Sequence, residues 1–217
     1  MAPPSAKDLS AVIFDLDGTL TDTLPVAFSA FRAAVAAFTD RQFTDAELIA
    51  TFGPSEDGIL RRLVPDHWER CFERYVDEYA ERHHACSAPF PGIEVALDLL
   101  KRRGVRLAVV TGKAARTAAI TLDRVGIADY FEIVATGSAA GGIKPQAIRS
   151  VLDAWREDPG RAAYVGDAIP DMQAARAVGI LGVGAAWAGT ATPVDLTSAG
   201  AALVFTDIEP FIAWLRG

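Results

Sequence analysis

Short apolar runs and amphipathic stretches alternate along most of the chain. The run Val12-Ile13-Phe14 predicts a buried strand, and similar runs recur at residues 105–110, 131–135, 162–165, 180–183 and 202–205. Between and after these runs, apolar residues at steps of three and four predict helices at residues 93–103, 113–125, 145–156, 170–178 and up to 216. Repeated strand–helix units predict an α/β protein with a doubly wound, mostly parallel sheet.

In residues 22–88 the apolar positions recur only with the spacing of a helix. One apolar face runs from residue 25 to 38, and Thr44 with Glu47 predicts a capping box at the start of a second helix. Two more helices are predicted, at residues 59–64 and from residue 66 onward, whereas no strand is predicted. The turn-forming sequence Pro89-Phe90-Pro91-Gly92 then marks the return to the alternating pattern. We therefore expect a helical lid inserted after the first strand.

Composition narrows the range of partners. The chain has 217 residues, 51% of them hydrophobic, and a formal net charge of -7 at pH 7, which predicts a soluble globular protein and argues against nucleic acid as a partner. No apolar run reaches membrane-spanning length and none precedes the first strand, so we expect a cytoplasmic protein with no membrane partner. Cys71 and Cys86 are too few for a disulfide framework and are expected to be free thiols.

Polar residues stand where the predicted strands end: Asp15, Asp17, Thr111, Gly112, Lys144, Asp167 and Asp171. Each has a local explanation, such as an Asp-Gly turn, a helix N-cap or a solvated lysine. Because the carboxyl ends of parallel strands meet at one edge of a sheet, we expect these side chains to be neighbours. Clustered carboxylates repel one another unless a cation joins them, and hard oxygen ligands suit Mg²⁺, which also binds phosphate oxygens. The sequence therefore predicts a Mg²⁺ site for a phosphorylated substrate.

The order of these residues resembles the motif order of the haloacid dehalogenase-like hydrolase superfamily. The motifs are Asp-x-Asp-Gly-Thr-Leu, hydrophobic-Thr-Gly, Lys-Pro and Gly-Asp-x-x-x-Asp. With the helical insertion, the chain looks most similar to the phosphoglycolate phosphatase and β-phosphoglucomutase branch. The resemblance implies a Rossmann-like catalytic core of residues 1–21 and 89–217 and a helical cap of residues 22–88. It also implies hydrolysis of a small soluble phosphomonoester, phosphoglycolate-like or a sugar phosphate, through an aspartyl-phosphate.

The resemblance assigns a role to each of these residues. Asp15 is the nucleophile, and Asp17 gives a proton to the leaving oxygen and later takes one from water. The phosphoryl group is held by Asp15, Thr111, Gly112 and Lys144. The metal ligands are Asp15, Asp17 through its backbone carbonyl, Asp167 and Asp171, with direct binding by Asp171 left open.

Three positions depart from the family pattern. Ala168 stands where many relatives have a hydroxyl residue, so one hydroxyl near the metal is expected to be missing. Glu56 follows Gly53-Pro54-Ser55 at the place where the mutases have an arginine, which disfavours a mutase. Ala147 replaces a frequent proline and is expected to matter little.

Three other functions stay open at this point. A β-phosphoglucomutase-like phosphosugar mutase is the nearest of them. A receiver-type signalling protein fits less well, because a receiver has no helical insertion and no second Asp beside its acceptor. A non-catalytic phosphate-binding protein is kept because of Ala168. The expected partner is a small phosphorylated metabolite, and the chain is expected to be a monomer or a homodimer.

Overall fold

The computed structural model describes residues 5–217, and its central feature is one parallel sheet of six strands in the order β3-β2-β1-β4-β5-β6. The strands are β1 (Ala11–Phe14), β2 (Arg106–Val110), β3 (Ile133–Ala135), β4 (Ala162–Gly166), β5 (Leu181–Ala185) and β6 (Leu203–Phe205). Every pair of neighbours runs parallel. The predicted doubly wound α/β class is thus confirmed.

Ten α-helices are found in the described residues. Four follow β1 without an intervening strand: α1 (Leu24–Val35), α2 (Asp45–Ile49), α3 (Glu56–Leu63) and α4 (Trp68–Arg82). The others are α5 (Ile93–Arg102), α6 (Ala115–Arg124), α7 (Lys144–Trp155), α8 (Ile169–Val178), α9 (Pro193–Ala199) and α10 (Ile208–Arg216). The capping box that begins α2 forms as predicted, with Thr44 and Glu47 exchanging hydrogen bonds.

Helix α9 was missed by the sequence pattern. It has seven residues, of which only Leu196 is buried, so it shows no apolar stripe. Its amino end does carry a local signal, because the Thr192 hydroxyl accepts a hydrogen bond from the Asp195 backbone N–H at 3.2 Å. The N-cap was therefore the only sequence signal for α9, because this helix has no hydrophobic periodicity.

Strand β1 lies in the centre of the sheet, and all four of its residues are buried. Its side chains alternate between the two faces: Phe14 belongs to the larger apolar cluster, and Ile13 to the smaller one on the other side. Phe14 pairs with Val109 of β2 and with Val165 of β4. The residues that follow these three strands therefore leave the sheet at the same edge.

The larger apolar cluster continues into the helices that follow β1. Phe31 of α1 and Tyr75 and Tyr79 of α4 are buried in it together with core residues. Burying an aromatic or aliphatic side chain contributes roughly 1.5–3 kcal/mol, so this shared cluster holds the helical segment against the sheet. None of the described helices is both long enough and apolar enough to cross a membrane.

The cysteines and histidines take packing or surface positions. Cys71 and Cys86 are buried free thiols. His83 is buried, and its Nε2 lies 3.2 Å from the Thr121 hydroxyl. His67 and His84 are exposed.

Candidate active site

Asp15 stands directly after the central strand and is buried beside β4. Its backbone N–H donates to the Val165 carbonyl at 2.9 Å, which fixes the residue at the edge of the sheet. One carboxylate oxygen, Oδ2, lies 3.0 Å from Lys144 Nζ. The other oxygen, Oδ1, is buried and has no hydrogen-bond partner among the described residues. An unpartnered buried carboxylate oxygen is costly, so this atom is available to a ligand that the site takes up.

Two more carboxylates converge on Asp15. One oxygen from each of Asp15, Asp167 and Asp171 lies within 4.8 Å of the others, and all three residues are buried. Asp167 Oδ1 accepts a hydrogen bond from the Thr19 hydroxyl at 2.9 Å. Asp171 uses both oxygens: Oδ2 accepts from the Ala168 N–H at 3.0 Å, and Oδ1 pairs with Lys144. Asp15 and Asp167 therefore have more free ligand capacity than Asp171.

Two glycines make room for these carboxylates. A Cβ on Gly18, whose φ is +81°, would lie 2.3 Å from Asp167 Oδ2. A Cβ on Gly166 would lie 2.5 Å from Asp171 Oδ2. Both contacts are far shorter than van der Waals distance, so only glycine fits at either position without moving a carboxylate.

The carboxylate cluster holds more negative charge than its lysine can balance. Burial raises the pKa of Asp15, Lys144 opposes the rise and Asp171 adds to it, which gives a value of about 8. Burial, with Asp171 adding to it, raises the pKa of Asp167 to about 6. Burial disfavours the charged form of Lys144, but Asp15 and Asp171 outweigh it and hold the pKa of Lys144 well above its ordinary value. The charge, the oxygen donors and the unpartnered Asp15 oxygen together fit a hard divalent cation.

The side chain of Asp17 does not join this cluster. Its Oδ1 lies 3.0 Å from Lys113 Nζ and also accepts a hydrogen bond from the Thr23 hydroxyl. A metal role for Asp17 is therefore left to its backbone carbonyl, as the family resemblance implies. Through Thr23 the carboxylate faces the helical segment.

Thr111 and Gly112 follow β2 at the same edge of the sheet. The Thr111 N–H donates to the Ala135 carbonyl at 3.0 Å, and its hydroxyl oxygen accepts from the Lys113 N–H at 3.2 Å. Within residues 5–217, no hydrogen bond joins Thr111 to the three clustered carboxylates. The Thr111 hydroxyl proton is thus left for another acceptor.

Ala168 costs the site less than the sequence suggested. The Thr190 hydroxyl donates to the Asp167 backbone carbonyl at 3.4 Å. The Thr19 hydroxyl donates a hydrogen bond to the Asp167 carboxylate. Two hydroxyls from distant parts of the chain therefore surround Asp167 although its neighbour in sequence has none.

Other residues at the site were missed by the sequence reasoning. The Tyr164 hydroxyl donates to the Val110 carbonyl at 2.7 Å and lies 3.3 Å from Asp171 Oδ1. Tyr164 precedes the Gly-Asp motif and looked like an ordinary strand residue. Lys113 is buried beside Asp17, although its place directly after Thr-Gly was a signal that could have marked it.

Comparisons with known proteins agree with this geometry. Residues 12–185 match the family model described as haloacid dehalogenase-like hydrolase. A phosphoglycolate phosphatase from Caulobacter vibrioides is 32% identical over 88% of this chain and 84% of its own length. A protein of Mycobacterium tuberculosis named tyrosine-protein kinase PtkA is 36% identical over 86% of this chain and 66% of its own length. Among solved structures, CbbY from Rhodobacter sphaeroides, in complex with phosphate, superposes with a TM-score of 0.82 at 20% identity, covering 96% and 100% of the two chains.

The raised pKa values predict how pH affects stability and metal binding. Without metal, the folded protein keeps protons on Asp15 (pKa about 8) and Asp167 (pKa about 6) that the unfolded chain releases near pH 4, so stability should fall as pH rises from about 4 to 8. A divalent cation such as Mg²⁺ that bound these oxygens would have to displace the protons, so its stabilising effect should be larger at pH 8 than at pH 6. At a hundred times its dissociation constant, the gain is about 2.7 kcal/mol.

Thermal melts at both pH values, with and without Mg²⁺, measure this effect. Asp167→Asn is the matched variant, because it removes one ligand oxygen and one of the two titrating groups. An equal Mg²⁺ shift at both pH values, unchanged in Asp167→Asn, would show that the ion does not bind at this cluster.

Proposed function

The chain belongs to the haloacid dehalogenase-like hydrolase family, and from this premise we propose that it is a Mg²⁺-dependent phosphatase that hydrolyses a small phosphomonoester through an aspartyl-phosphate on Asp15. The observation that carries the proposal is the environment of Asp15. This carboxylate lies at the end of the central strand with one oxygen held by Lys144 and the other without a partner. Such a group can both accept a phosphoryl group and share a cation.

Asp15 and Asp17 divide the chemistry between them. A carboxylate oxygen of Asp15 attacks phosphorus, the bond from phosphorus to the ester oxygen breaks, and Asp17 delivers a proton to that oxygen. Water then attacks the phosphorus of the aspartyl-phosphate while Asp17 takes a proton from it. The bond from phosphorus to the Asp15 oxygen breaks, which releases phosphate and restores the carboxylate.

The remaining groups bind and balance charge. Asp15, Asp167 and the Asp17 carbonyl would hold Mg²⁺, with Asp171 contributing charge and fixing Lys144. When bound, the ion neutralises the carboxylates and the phosphoryl oxygens as charge shifts between them. Lys144 and the Thr111 hydroxyl would bind the phosphoryl oxygens, together with the Gly112 N–H.

The helical segment of residues 22–88 acts, in this proposal, as a lid that limits substrate size. Its two connections to the sheet are adjacent, since the Phe90 N–H donates to the Leu20 carbonyl at 2.9 Å. At its far end, the Ser55 N–H donates to the Ser138 carbonyl at 2.9 Å in the loop after β3. A lid with neighbouring tethers and a contact across the site encloses a small molecule and excludes bulk water.

Transfer of the phosphoryl group to another acceptor is the competing outcome. A phosphosugar mutase would return it to a sugar hydroxyl. The relationship to a protein named tyrosine-protein kinase adds a tyrosine hydroxyl as a possible acceptor. Hydrolysis is favoured for this chain because Asp15 is buried, so a protein substrate would have to bring its tyrosine beneath the proposed lid to reach it.

A screen of phosphate esters tests the proposal. With Mg²⁺ at neutral pH, phosphoglycolate, sugar phosphates and nucleotides should include at least one ester that releases phosphate over many turnovers, and a chelator should stop the release. Asp15→Asn should fold normally yet lose turnover, because its amide matches the shape of the carboxylate but is no phosphoryl acceptor. Full activity in Asp15→Asn would contradict the assignment of Asp15 as the phosphoryl acceptor. Formation of an isomerised sugar phosphate, or of phosphotyrosine carrying a label from ATP, would indicate phosphoryl transfer instead of hydrolysis.

The role of Asp17 is tested by changing the leaving group. Asp17→Asn should slow hydrolysis of an alkyl phosphate by a factor of about 10²–10⁴, because the alkoxide needs a proton as it leaves. The first step on p-nitrophenyl phosphate should slow much less, because its phenolate leaves without a proton. Burst and steady-state kinetics on both esters measure the rate loss in the first step and in overall turnover. Equal losses in the first step on the two esters would remove the proton-donor role.

Lys144→Ala should lower kcat/KM by the equivalent of roughly 2.7–4 kcal/mol, as for other preorganised donors to a developing charge. Lys101→Ala, at the exposed end of α5, is the matched control and should change nothing. Melting temperatures should be measured with Mg²⁺ present, because Lys144 also faces two buried carboxylates. A stability loss with unchanged kcat/KM would make Lys144 purely structural.

A further inference from the structure

Glu56 reaches from the helical segment into the core. It is the first residue of α3, and its carboxylate accepts hydrogen bonds from the Ala114 N–H at 2.5 Å and from the Thr117 hydroxyl at 2.7 Å. Helix α6 has no side-chain cap from its own N-cap residue, Ala114. Glu56 therefore supplies the negative group that the amino end of this helix favours.

The same carboxylate faces a buried lysine. Lys113 Nζ lies 3.8 Å from Glu56 Oε1 and 3.0 Å from Asp17 Oδ1, and it stands 4.4 Å from the centre of the Tyr79 ring. Its side chain is only 3% exposed. Burial alone would lower the pKa of Lys113, but Asp17 first, and Glu56 to a smaller extent, help to hold it well above its ordinary value. Lys113 is thus a permanent cation shared between two carboxylates.

The leaving group of the substrate has to lie beside these residues. This step rests on the proposed function, in which Asp17 protonates the leaving oxygen. Lys113 contacts Asp17 directly, and Glu56 follows on the side of the helical segment. The two features that would attract a negative leaving group there are Lys113 and the amino end of α6, and Glu56 engages both.

We propose that Glu56 is a specificity-determining residue that makes the enzyme prefer phosphomonoesters with an uncharged leaving group. A leaving group that carries its own carboxylate or second phosphate has to compete with Glu56 for Lys113 and for the Ala114 N–H. It also meets the like charge of Glu56 in a place with little solvent to screen it. The substrate class that fits is the phosphate ester of a small neutral alcohol, such as a polyol or a sugar.

Two esters of equal carbon number test this inference. Phosphoglycolate and 2-hydroxyethyl phosphate differ only in a carboxylate against a hydroxymethyl group. The wild-type protein should have the higher kcat/KM on 2-hydroxyethyl phosphate. In Glu56→Gln the ratio should shift toward phosphoglycolate by at least about tenfold, equivalent to about 1.4 kcal/mol, mainly through KM.

Two further variants separate local charge from other effects. Glu73→Gln also removes a carboxylate that ties the helical segment to α6, through Arg116 at 2.5 Å on the surface, and should leave the ratio unchanged. Glu56→Asp keeps the negative charge and should keep the wild-type preference for 2-hydroxyethyl phosphate. If Glu56→Gln folds poorly, the ratio measured in Glu56→Asp still tests the role of the charge.

The outcomes are distinct. An unchanged ratio in Glu56→Gln, an equal shift in Glu73→Gln, or a wild-type preference for phosphoglycolate would each overturn the role of Glu56 while leaving a phosphatase in place. Failure of the wild-type protein to hydrolyse any phosphate ester would instead overturn the proposed function, and this inference with it.

Discussion

The constraint that shapes the site is the electrostatic repulsion between three buried carboxylates at one edge of the sheet. One oxygen from each of Asp15, Asp167 and Asp171 lies within 4.8 Å of the others, and Lys144 pairs with Asp15 and Asp171. Without a further cation, the fold can keep these groups together only by protonating some of them, which is the physical meaning of the raised pKa values. A divalent cation held by these oxygens would offset their mutual repulsion.

The topology produces this edge. Strand β1 lies between β2 and β4, so residues that are far apart in sequence end at the same place. Asp15 and Asp17 then point to different partners, the first to Lys144 and the carboxylates and the second to Lys113 and Thr23. Two aspartates separated by one residue thereby face different charges, and the proposed function gives them different roles.

The sequence predicted the parts of this account that depend on local patterns. Apolar runs and strand-end polar residues were enough for the parallel sheet and for grouping Asp15, Lys144, Asp167 and Asp171. The contacts of Glu56 with Thr117, and of Thr190 with Asp167, join residues from different elements, and no local pattern encodes them. The sequence analysis did not single out Lys113, and only the packing of α4 against α6 shows that it is buried.

The central claim is that Asp15 carries the phosphoryl group during turnover. The most direct measurement is to quench the protein during turnover of its best ester, reduce the acyl phosphate with borohydride and locate the modified residue by peptide mass spectrometry. The account predicts that reduction converts Asp15, and no other aspartate, to homoserine, and that omitting the substrate or Mg²⁺ abolishes the conversion. Homoserine at Asp17 or Asp167, or unmodified Asp15 under conditions of rapid turnover, would contradict it.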